Sequence, residues 1–216
     1  MKQGKINAIK RELHEFATLV EHMLERSIKG LIIKDKEMLT AIIEQDEVKA
    51  NAFETNIEEL CTEFIAQFEP KAKNLRTILM ILKMNNDLER VADHAVNISE
   101  SALFLIERPQ VKPYIDLPKM AQEAIQMLGD SIHGFINEDG VLARSVCRRD
   151  EIVDDLNSKI VLELIGLMSR NPAVIERSVH LIRIVRNLER VADLSTNICE
   201  DVVFMVEGKV IKHQIA

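Results

Sequence analysis

Apolar residues recur along most of this chain at intervals of three and four, the spacing that lays one stripe down a face of an α-helix. Ile9, Leu13, Phe16, Val20, Met23 and Leu31 form the first stripe and predict a helix over about residues 6–34. Leu39, Ile42, Ile43, Phe53, Ile57, Leu60, Phe64 and Ile65 predict a second over 36–68, with Asp35 placed as its N-cap and Pro70 ending it. A third spans 71–107, where Leu88, Val91, Ala95, Ile98, Ala102 and Leu105 step 3, 4, 3, 4, 3. Pro109, Pro113 and Pro118 then crowd the midpoint and mark a linker. Met120, Ala124, Met127 and Phe135 predict a fourth helix over 117–137, and Gly140 breaks the pattern. A fifth covers 141–170, Asn171-Pro172 makes a turn, and a sixth runs to residue 207 ahead of Gly208. The longer helices would measure on the order of 45–55 Å and are stable only when packed together. The pattern therefore predicts an all-α fold of two tandem three-helix bundles: residues 1–108, a Pro-rich linker at 109–118, and residues 119–216.

The two halves share a text. Residues 88–93 and 188–193 both read LERVAD, and Asn97, Ile98 and Glu100 are answered by Asn197, Ile198 and Glu200 at the same offset of 100. A fixed offset of this kind is the mark of an internal duplication. Beside each apolar seam runs a polar stripe, Glu89-Asp93-Asn97 and Glu189-Asp193-Asn197. Residues four apart share a helix face. This face lies roughly 100–180° from Leu88, on a flank or the outside of the bundle. Counting back from the turn at Asn171 sets Asp154 level with Glu189 and Asp150 level with Asp193. The same count in the first half sets Asp46 level with Asp93 and leaves Ala50 opposite Glu89, with Glu47, Asn51 and Glu54 as nearby substitutes. A poorer first site is expected.

Four carboxylates at one level repel one another unless a cation neutralises them. An all-oxygen set suits iron, manganese, magnesium or calcium and also holds zinc. No His stands three residues after any of these acids, which departs from the usual di-iron bundle pattern. The plainer account is a solvated acidic face engaged by Arg90, Arg186, Arg190 and neighbouring lysines. His94 and His180 lack partners at ligand spacing, and the Met residues at helical spacing read as core filler.

Composition narrows the function classes. The net charge of −7 argues against nucleic acid as the main partner, because phosphate backbones need a basic surface. No stretch is apolar enough for direct membrane insertion. Cys61, Cys147 and Cys199 lack CxxC spacing and read as buried thiols of a reducing, cytoplasmic protein. Neither a Gly-rich phosphate loop nor a nucleophile elbow is present, so catalysis is not expected.

The segments DLERVAD and NLERVAD, each followed by Asn-Ile and preceded by a Pro-broken hairpin, resemble the PhoU family of phosphate-uptake regulators. So do Asp46-Glu47, Asp150 to Asp154, and Val206-Glu207-Gly208-Lys209, and the resemblance covers about residues 5–213. It implies two tandem three-helix bundles carrying surface multinuclear iron or zinc clusters. Residue by residue, the implied ligands are Glu89, Asp93, Asp150, Asp154, Glu189 and Asp193, with Asp46 weaker. It further implies a cytoplasmic adaptor, often a homodimer. Such an adaptor links the ATPase of a phosphate ABC transporter to the cytoplasmic portion of a membrane sensor histidine kinase and damps the phosphate-starvation response. The residues alone leave open a carboxylate-bridged metal enzyme, a metal-storage protein or a plain helical scaffold.

Overall fold

The computed structural model describes residues 2–207; the expected Gly208 stop and the Gly208-Lys209 part of the C-terminal motif lie outside them. The described residues form helices and turns only, in the order α1 (Lys2–Ile33), α2 (Lys36–Ala41), a π-helical turn (Ile42–Asp46), α3 (Glu47–Phe68), α4 (Lys73–Ile106), α5 (Asp116–Ile136), α6 (Gly140–Cys147), α7 (Asp150–Arg170), a 3₁₀ turn (Pro172–Val174) and α8 (Ile175–Glu207). α1, α2–α3 and α4 make the first bundle, and α5, α6–α7 and α8 the second.

The caps are those the sequence offers. The Asp35 carboxylate accepts from the Met38 amide at 2.9 Å, while Asp139 opens α6 by accepting from Val141 and Leu142. Asn171 accepts from the Ala173 amide, and Pro172 takes the first helical position, where its missing N–H costs nothing. At Gly30 a Cβ would come within 2.7 Å of Leu39 Cδ2, so only glycine lets α2 fold back so closely on α1. Pro118, expected in the linker, falls instead in the first turn of α5, a place that tolerates proline. The linker is held down by Arg177, which donates to the Pro109 carbonyl at 2.6 Å.

Two of the expected single helices are interrupted. The second widens into the π-helical turn at Ile42–Asp46, and the fifth breaks at Arg148-Arg149 between α6 and α7. At the first irregularity Arg26 of α1 pairs with the buried Asp46; at the second, Arg149 pairs with Glu123 and Asp130 of α5. In both halves the distortion comes just before position 50 or 150, where the acidic stripe faces its hairpin partner. π-Bulges are enriched at such functional positions.

The bundles do not stand apart. α4 and α8 run antiparallel against each other: moving along α4 from Lys83 through His94 to Phe104 moves along α8 from Asp201 through Asn187 to His180. α1 also packs on α5. One continuous apolar core results, running from Ile6, Leu13 and Phe16 through Leu88, Val91 and Ile98 to Met127, Leu188, Val191 and Val202. Ala92, Val96 and Leu194, off the expected seams, are buried too, because α4 and α8 each carry a second apolar face for the other repeat. The methionines Met23, Met80, Met84, Met120 and Met127 are core, and all three cysteines are free and buried.

Candidate functional site

In the second bundle α7 begins at Asp150, so Asp150 and Glu151 occupy its first turn, where the helix dipole favours carboxylates. One turn on, Asp154 projects from the same face. Across the hairpin, Glu189 and Asp193 come from the middle of α8, which Leu188, Val191 and Ala192 pin into the core. Asp154 is exposed and the other three are half-buried, so the stripe sits on a flank rather than in the interior.

Two of the four acids are raised. Asp150 is pushed up to about 6 by burial first and then by Asp154, Asp193 and Glu189. Asp154 is raised by burial, Asp193, Asp155 and Glu151. The Asp150 Oδ1 atom is buried without a hydrogen-bond partner. Arg190 offsets one member of the set, donating to Asp193 at 3.0 Å.

The first bundle gathers a different set from the expected one. Asp46, 4% exposed, is paired with Arg26 and, at 2.8 Å, with Lys49, so both its oxygens already face cations of this chain. Glu54, one of the expected substitutes, joins the acids of α4: it is raised by burial, Glu58 and Asp93, and Glu89 is raised by burial, Asp93 and Glu54. The hairpin register is fixed by Asn85, whose Nδ2 donates to the Glu54 carbonyl at 2.9 Å. The offset of 100 was the signal that locates this set, since it carries Asp150 and Asp154 to Ala50 and Glu54. Ala50 is fully buried and supplies no oxygen from its side chain, so the first cluster holds one carboxylate fewer.

Asn85 Oδ1 and Asn157 Oδ1 are both buried without a partner, each on a helix that carries the acids. His94 and His180 make structural contacts. His94 Nδ1 bonds Asn187 Oδ1 at 2.7 Å, and His180 stacks on Phe104 with ring centroids 3.8 Å apart.

Among the described residues no three His, Cys, Asp or Glu side chains converge into a set that could hold a metal as they stand. The donor chemistry nonetheless fits a hard or borderline cation. The second cluster is all oxygen, carries an orphaned buried oxygen, and gathers four carboxylates against the single cation Arg190 among the described residues. Asp150, Asp154, Glu189 and Asp193 are the residues that would hold the ion.

A PhoU domain model matches the chain twice, over residues 13–102 and 117–202, and thus covers both acidic hairpins. The chain belongs to the PhoU family. It is 33% identical over 210 residues to the phosphate-specific transport system accessory protein PhoU homolog of Aquifex aeolicus, spanning 97% of this chain and 95% of that one. It is 32% identical to the Streptococcus pneumoniae homolog, spanning 95% and 98%. Among solved structures, PhoU from Pseudomonas aeruginosa superposes with a TM-score of 0.92 at 28% identity, over 97% of this chain and 100% of that one. The phosphate transport system regulatory protein PhoU from Streptococcus pneumoniae gives 0.89 at 26% identity. PhoU proteins thus share this pairing of bundles over the full length described.

Proposed function

We propose that this protein is a non-catalytic, phosphate-responsive regulatory adaptor that works in the cytoplasm as a negative regulator of phosphate uptake and of the phosphate-starvation response. It contacts the ATPase of a phosphate ABC transporter and the cytoplasmic portion of a membrane sensor histidine kinase, and the transporter's state biases the kinase away from its phosphorylating form. The observation that carries this reading is the match to phosphate-transport accessory proteins through both repeats and nearly end to end. Among the described residues no helix is long and apolar enough to cross a membrane, which suits a contact-mediated role.

Within this reading the acidic hairpins are cation sites. Asp150, Asp154, Glu189 and Asp193 hold iron, zinc or another divalent ion in the second bundle, and Glu54, Glu89 and Asp93 hold a weaker one in the first. Asp46 is left to its ion pairs with Arg26 and Lys49. When bound, such an ion supplies positive charge and open coordination positions on the flank, where phosphate or a partner carboxylate can reach it. The chain's own contribution is to hold the acids level across a rigid hairpin. Coupling between partner states needs a differential affinity on the order of 1–3 kcal/mol.

The test is capture of the purified transporter ATPase and the kinase's cytoplasmic portion by this protein, with phosphate plentiful or absent. Binding to both, with a phosphate-dependent difference, supports the adaptor; binding to neither removes it.

A further inference from the structure

α6 and α8 pack antiparallel in the second bundle. Gly140, which opens α6, lies against the Glu207 carboxylate that closes α8, 3.2 Å from where a Cβ would stand; one turn on, Arg144 reaches the same carboxylate at 2.6 Å. Continuing along that register, Cys147 at the end of α6 comes level with Cys199 of α8. Both thiols are free and buried on the faces where α6 packs against α8, and each bears on the other's ionisation. Cys199 is fully buried and Cys147 is 6% exposed beside the Arg148-Arg149 break, so Cys147 is the nearer of the two to the surface. The first repeat has Glu47 and Ser99 at the equivalent positions, so the pair is private to the second bundle.

We propose that Cys147 and Cys199 form a redox-responsive dithiol, oxidised to an intramolecular disulfide by hydrogen peroxide or a similar two-electron peroxide oxidant. The neighbouring Cys199 holds the Cys147 thiol below the usual cysteine range, and Cys147 together with burial pushes Cys199 up. The position of Cys147 nearer the surface assigns it the attacking role, and this polarity agrees. The Cys147 thiolate attacks the peroxide: an S–O bond forms, the O–O bond breaks, and the leaving oxygen departs as water after taking a proton. The Cys199 sulfur, giving up its proton, then attacks Sγ of the Cys147 sulfenic acid; the S–S bond forms, the S–O bond breaks, and a second water leaves. Two thiols and one peroxide become one disulfide and two waters. The product fastens the end of α6 to α8 three residues before Asp150. In a reducing compartment such a bond is transient, as expected of a sensor rather than a structural staple. Cys61, buried with no cysteine partner and pushed up to about 12 by burial, is the internal control.

The full chain, reduced and then exposed to hydrogen peroxide, is unfolded in acid, alkylated with N-ethylmaleimide, digested and weighed. The expected result is loss of two hydrogens from the intact mass, one linked peptide joining Cys147 to Cys199, alkylation confined to Cys61, and full reversal by dithiothreitol. In C199A, Cys147 should stop at the sulfenic acid and be trapped by dimedone. Alkylation of all three cysteines at undiminished yield would overturn the proposal. So would oxidation of Cys147 to the sulfinic acid with Cys199 still free, or oxidation of Cys61 at an equal rate.

Discussion

His94 of α4 donates from Nδ1 to the Oδ1 of Asn187 on α8 at 2.7 Å, and this side-chain hydrogen bond spans the face on which the two repeats meet. Asn187 is held in turn by its own Nδ2, which bonds the Arg183 carbonyl at 2.7 Å. The contact therefore joins the helix that presents Glu89 and Asp93 to the helix that presents Glu189 and Asp193. Each acidic stripe is positioned partly by the other repeat.

Burial lowers the His94 pKa, while the bond to Asn187 works against that shift. A histidine whose folded value lies below its unfolded 6.5 contributes stability that is present above pH 6.5 and lost as the pH falls toward the folded value. H94Q should therefore lose less stability than the wild type between pH 7 and 5 in urea melts, and should cost about 1 kcal/mol at pH 7. An unchanged pH slope would mean the ring does not titrate with folding.

Asp150 has the opposite sign. An acid raised from 3.8 to about 6 penalises the folded state above pH 6, and the penalty fades as the pH falls toward 4. Linkage gives roughly 3 kcal/mol, discounted to about 1–2 kcal/mol because the group is only half buried. Without added cation, D150N should be more stable than wild type at pH 7 by that amount, with no gain at pH 4. With a divalent ion present the order should reverse.

Asp46 separates structure from binding. D46A strands Arg26 beside the core and should cost about 1–3 kcal/mol, less than a fully buried pair because Arg26 is part-exposed. Its cation stoichiometry should match the wild type. A lost binding equivalent would return Asp46 to the site.

The clusters should fill in order. The second offers four carboxylates and the first three, so limiting metal should occupy the second bundle first. E189A/D193A should abolish that first-filled site with helicity near wild type, since these flank residues do not fill the core. Isothermal titration and elemental analysis read both outcomes.

The helices and most caps were legible because each rests on local signals: Asp35, Asn171-Pro172, and the 3-4 seams of α4 and α8. In the second hairpin the turn is short, and the acids counted across it lie near enough to Asp150 to raise it. In the first hairpin the count does not register that Asp46 is claimed by Arg26 and Lys49. The π-helical turn inserts a residue's worth of winding before Glu47, and the connection passes through Glu69 and Ala72 at positive φ. Pro70 marks the connection, but the π-helical turn carries neither Gly nor Pro to mark it. The break at Arg148-Arg149 was hidden too, because its partners Glu123 and Asp130 lie on another helix. The close joining of the repeats shows only in the second apolar face, Ala92 and Val96, which a single-seam reading passes over.

The adaptor reading is tested most directly by expression of a phosphate-starvation reporter in a host lacking this chain, grown with phosphate plentiful. The account predicts that the reporter stays on in the deletion strain, is switched off by the wild-type chain, and is repressed less well by E189A/D193A at equal protein level. Normal repression in the deletion strain would contradict it.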